Sequence, residues 1–125
     1  MSARLVQINY KLSGPRAGYV EENLPYAQPI ADLGGLRWKV WIINEAQSEA
    51  GGIYLFDDDA AVKAFLNGPI IAEMKGDPTL SIKVFDVISD LTAITRGPIK
   101  EYSPELGAGL ARTGECPPSG ERPGK

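Results

Sequence analysis

The chain has 125 residues, 43% of them hydrophobic and 23% charged, with a net charge of -3 and a pI near 4.9. That length suits one domain of modest size, and the acidic balance opposes non-specific binding to nucleic acid and docking on anionic membranes. There is no histidine and one cysteine, which excludes a Ser-His-Asp triad, a Cys-His dyad, histidine-ligated zinc or haem, and an internal disulfide.

Any general base must then be Asp, Glu, Lys, Tyr or an unusual group. Met1-Ser2-Ala3-Arg4-Leu5 lacks the apolar core of a secretory signal, and no apolar run approaches a membrane span. The expectation is a soluble cytoplasmic protein, with no nucleic-acid or membrane partner.

From Arg4 to Leu12 the residues alternate. Val6, Ile8, Tyr10 and Leu12 share one face and Leu5, Gln7, Asn9 and Lys11 the other, which predicts a strand ended by Ser13-Gly14-Pro15. Residues 16–33 predict helix, with Val20, Leu24, Ala27 and Ala31 in a stripe edged by Tyr19 and Ile30. Pro25 and Pro29 predict a kink or two short helices, and Gly34-Gly35 an end. Leu36 to Glu45 and Gly51 to Phe56 read as strands joined by a polar turn, hence a hairpin.

Asp57-Asp58-Asp59 then opens a helix. An N-cap with favourable dipole charge explains these carboxylates better than a metal site. Asn67-Gly68 breaks this helix and Pro69 begins a short second one. Thr79 to Val87 is the last strand, and residues 88–95 a turn or short helix. Residues 1–98 therefore form the domain. Residues 99–125 are dense in glycine and proline, hold Cys116, and read as a disordered tail.

The order β-α-β-β-α-β implies an α+β, ferredoxin-like fold: one antiparallel sheet with its helices on one face. The apolar faces (Val6/Ile8/Tyr10, Trp38/Val40/Ile42, Ile53/Leu55, Leu80/Ile82/Val84) are expected beneath the helices. The opposite face would carry Gln7, Asn9, Lys11, Arg37, Lys39, Trp41, Tyr54, Phe56, Ser81, Lys83 and Phe85. Aromatics mixed with polar and basic groups mark a ligand pocket or an interface. Two such sheets face to face in a homodimer would enclose a cavity, although the aromatics could equally serve only as interface core. An RNA platform fits poorly, because Gly51 to Phe56 lacks the basic start and aromatic pattern of that motif.

Trp38-Lys39-Val40-Trp41, Glu49-Ala50-Gly51-Gly52-Ile53-Tyr54-Leu55-Phe56 and Lys83-Val84-Phe85-Asp86-Val87 together resemble the YdhR-type monooxygenase family over residues 4–96. The resemblance implies a dimeric α/β barrel with an internal cavity. It also implies an oxygenase that joins O2 to an aromatic small molecule, a polycyclic phenol or polyketide, without a cofactor. On this reading Trp41, Tyr54, Lys39 and Asn9 are the candidate catalytic residues. Gln7, Arg37, Phe56, Lys83 and Phe85 are the candidate substrate-binding ones. Aromatics would supply flat walls, Lys39, Lys83 or Arg37 would hold a phenolate or one lysine would act as base, and the amides would bond a substrate oxygen. A carrier of an aromatic metabolite and a polyketide cyclase or isomerase are the alternatives.

Overall fold

The computed structural model describes residues 3–99. They form β1 (Arg4–Lys11), α1 (Arg16–Ala31), β2 (Leu36–Asn44), β3 (Glu49–Phe56), α2 (Asp59–Leu66), α3 (Pro69–Met74), β4 (Ser81–Asp86) and α4 (Ser89–Ile94). The strands make one antiparallel sheet in the order β2-β3-β1-β4, the α+β ferredoxin-like arrangement. No helix among the described residues is long and apolar enough to cross a membrane. Except for Ile99, the Gly/Pro-rich stretch with Cys116 lies outside the described residues.

Helix α1 runs unbroken through Pro25 and Pro29, so of the kink or two short helices expected there, two separate helices are not formed. Pro25 and Pro29 both face solvent, so water can satisfy the carbonyls that lose an N–H partner. Its inward stripe also differs from the expected one. Ile30 is buried and Tyr19, Asn23 and Ala27 are half-buried, while Val20 and Leu24 are exposed. The acidic run starts α2 as predicted. The Asp58 carboxylate accepts from the Ala61 N–H at 2.9 Å, Asp57 pairs with Arg37 at 2.6 Å, and Asp59 pairs with Lys63 at 3.1 Å.

The faces of β1 and β4 are as expected, and those of β2 and β3 are inverted. Val6 and Ile8 pack beneath the helices with Ile30, Val62, Phe65 and Ile71. Register places Tyr54 opposite Val6 and Lys39 opposite Tyr54. Gly52 lies opposite Ile8, with Trp41 beyond it. Tyr54, Phe56, Lys39 and Trp41 therefore lie on the helix side.

Both faces of β3 are apolar, so its alternation carries no direction. The larger pair goes inward because Phe65 of α2 meets it. Ring centroids lie 4.8 Å apart for Tyr54–Phe65 and 5.2 Å for Phe56–Phe65, in the range of favourable aromatic packing. In β2 a bulge between Leu36 and Trp38 resets the alternation. Leu36 joins the core, while Trp38, Val40 and Ile42 face away with Ile53 and Leu55.

Candidate active site

A cavity of about 350 Å³ opens between the sheet and the helix layer of the single chain. β1, β2 and β3 supply its floor through Ile8, Tyr10, Lys39, Trp41, Gly52 and Tyr54. α1 and α3 supply its walls through Tyr19, Asn23, Ile30, Ile70 and Met74, with Glu22, Tyr26, Glu73 and Asp77 also on the lining. This cavity lies within one protomer, on the helix side of the sheet. The inverted strands carry the aromatic residues there.

Lys39 is the amine of this floor. Its side chain lies along a trough left by Gly52, where a Cβ would stand only 2.5 Å from Lys39 Cε. The absence of a side chain at 52 is therefore what lets the lysine lie flat. Lys39 Nζ rests 3.2 Å from the centroid of the Trp41 ring and 4.6 Å from that of Tyr54. No carboxylate forms an ion pair with Lys39 among the described residues. Burial of the ammonium lowers its pKa from 10.5 to about 7. A lysine of this kind offers a neutral amine at physiological pH.

The tyrosines form a second polar feature. The hydroxyls of Tyr10 and Tyr19 hydrogen-bond at 2.5 Å. Burial, and then the bond to Tyr19, push the Tyr10 phenol well above its ordinary range; burial does the same for Tyr54. Both therefore stay protonated and able to donate. Asn23 donates to the Tyr19 carbonyl oxygen at 2.9 Å, within α1. Tyr26 donates to Glu73 at 3.1 Å, tying α1 to α3.

Of the nine residues singled out from sequence, the cavity gathers three: Lys39, Trp41 and Tyr54. Phe56 is fully buried in the core and does not line this cavity. Arg37 sits in the β2 bulge, bonded to Asp57 and to the Ile99 carbonyl. Gln7, Asn9, Lys83 and Phe85 lie on the opposite face, where Gln7 donates to Asn9 at 2.9 Å. They cannot share a site with Lys39 in one chain. Sequence reasoning missed Tyr10, Tyr19 and Asn23. Polar-tipped aromatics in otherwise apolar stripes were the signal available, together with the paired glycines inside β3.

The model of the family described as "Putative mono-oxygenase ydhR" matches residues 5–98. No curated protein matches the chain. Among solved structures, SnoaB, a cofactor-independent oxygenase from Streptomyces nogalater, is 13% identical. Its TM-score is 0.56 over 70% of this chain and 95% of that one. A putative antibiotic biosynthesis monooxygenase from Deinococcus radiodurans is 16% identical, with a TM-score of 0.54 over 67% of this chain and 91% of that one. A heme-degrading protein from Mycobacterium tuberculosis is 21% identical, with a TM-score of 0.50 over 70% and 94%. At these identities the likeness is one of fold.

Proposed function

This chain belongs to the YdhR mono-oxygenase family, and from that premise we propose that it oxygenates a flat aromatic phenol or anthrone-like molecule, with O2 and without a bound cofactor. The observation that carries this reading is the unpaired Lys39 amine, laid against Trp41 and Tyr54 in the floor of the cavity. A base of this strength suits a weakly acidic phenol or an anthrone methylene. The fold likeness to a cofactor-independent oxygenase supports the same reading. Haem held by an imidazole is not open to a chain without histidine.

Substrate stacks against Trp41 and Tyr54, and the Lys39 amine removes one proton. The resulting ammonium stays beside the anion it has made, where low polarity strengthens the attraction. The anion passes one electron to O2, substrate radical and superoxide combine to a peroxide anion, and this takes the proton back from the Lys39 ammonium to give a hydroperoxide. Loss of water leaves the quinone. One oxygen atom enters the product and the other leaves as water, so substrate and O2 give quinone and H2O with no external reductant. The aromatic walls keep bulk water from the intermediates.

A second copy of the chain is proposed as partner, held through the face that carries Val40, Ile53 and Phe85. Register on this face lines up Trp38, Leu55, Leu5 and Phe85 beside a mixed row of Val40, Ile53, Gln7 and Lys83, and Val40 and Phe85 are exposed. The cavity itself needs residues of one copy only.

The test is O2 uptake and product mass with metal-free protein on a panel of phenols and anthrones. Enzyme-dependent uptake with one added oxygen supports the oxygenase. Binding with no uptake would make the protein a carrier, and an isomeric product without added oxygen would make it a cyclase or isomerase.

A further inference from the structure

Hydrogen-bond accounting in the cavity leaves two protons without a partner. Tyr10 and Tyr19 hold two hydroxyl protons between them, and their mutual bond uses one. The other finds no acceptor among the described residues. Tyr54 is 3% exposed, lines the same cavity, and its hydroxyl bonds to no described residue. None of these hydroxyls is a buried polar atom lacking a partner among the described residues, so they are open to the cavity, where a bound acceptor can replace water as their partner. All three phenols line the cavity whose floor also carries Lys39.

We propose that the Tyr10–Tyr19 pair and Tyr54 form a subsite for a carbonyl oxygen of the substrate, and that they hold the oxyanion this carbonyl becomes when Lys39 removes a neighbouring C–H proton. This rests on the proposed reading of the cavity and narrows its substrate class to benzo-fused ring ketones with an acidic benzylic C–H, rather than simple phenols. Lys39 Nζ takes the C–H proton, the C–H electron pair becomes the C=C bond of the enolate, and the former carbonyl oxygen takes the negative charge. Return of a proton from the ammonium reverses the step. No oxidant takes part. The same residues would therefore catalyse carbon-acid exchange with solvent in the absence of O2.

The protonation of the phenols fits this role. Burial keeps Tyr10 and Tyr54 as donors at neutral pH, as donors to an oxyanion must be.

The experiment uses 2-tetralone as probe and tetralin as the matched hydrocarbon without oxygen. Binding of both is measured by calorimetry. Deuterium exchange of the ketone is followed by NMR in anaerobic D2O, alongside O2 uptake with an anthrone. The wild type is expected to bind the ketone about threefold to tenfold more tightly than tetralin, the worth of one or two neutral hydrogen bonds. It should also exchange its methylene protons faster than buffer. Tyr19→Phe and Tyr54→Phe should each reduce that preference and slow exchange by about tenfold or more, with tetralin affinity unchanged. Unchanged tetralin affinity also shows that these variants remain folded. Equal binding of ketone and hydrocarbon by the wild type would overturn the subsite, as would a preference indifferent to both substitutions. If that happened while anthrone oxygenation persisted, only the subsite would fall. Loss of oxygenation as well would remove the oxygenase reading with it.

Discussion

At the residue scale the proposed chemistry turns on one lysine and the glycine beside it. Lys39 titrates near 10.5 when unfolded and about 7 when folded. Between those values the unfolded chain binds more protons, so this site's contribution to stability rises with pH across that window. The cost of burying the charge is greatest below about 7. Lys39→Met should therefore raise Tm clearly at about pH 6 and little at about pH 10, measured by calorimetry in parallel with the wild type. Gly52→Ala should act in the opposite sense on the lysine. The new Cβ would crowd Lys39 Cε, lift the amine off the Trp41 face toward solvent, and move its NMR titration midpoint up from about 7. Lys39, Trp41 and Tyr54 were legible as a group because an aromatic-basic mixture on a strand is uncommon on a plain solvated face. Asn9, Gln7 and Lys83 were grouped with them only through the inverted faces of β2 and β3.

At the element scale, strands that are apolar on one face were read correctly and strands apolar on both were not. Val6 and Ile8 stand against Gln7 and Asn9, so β1 has only one way in. Ile53 and Leu55 stand against Tyr54 and Phe56, and only the fit to Phe65 chooses between them. The bulge at Arg37 has no signature in the sequence beyond the residue it frees to pair with Asp57. Helix caps were more legible, because Asp before an apolar-periodic segment has a local cause. Asp58 bonds the Ala61 N–H at 2.9 Å, and Asp58→Ala should cost about 1 kcal/mol in urea denaturation. Activity should be retained, since neither Asp58 nor the start of α2 lines the cavity.

At the scale of the whole molecule, element order alone led to the ferredoxin-like sheet, because crossover rules leave few arrangements of β-α-β-β-α-β. Element order does not say which side of the sheet holds a cavity. That depends on how far α1 and α3 stand off from β2 and β3, and hence on the large side chains between them. With the cavity inside one chain, the exposed Val40 and Phe85 on the other side are freed for a second copy. Val40→Lys should then shift sedimentation from dimer to monomer without abolishing ligand binding, and a wild-type monomer at micromolar concentration would contradict the proposed partner. The most direct measurement is the pH dependence of O2 uptake on an anthrone, wild type against Lys39→Met, in metal-free protein. A neutral-amine base predicts activity that rises through about pH 7 and falls at least about 100-fold in the variant, without that inflection. Equal activity in the variant, with the same pH profile, would contradict a base at Lys39 and with it the active site assigned to this cavity.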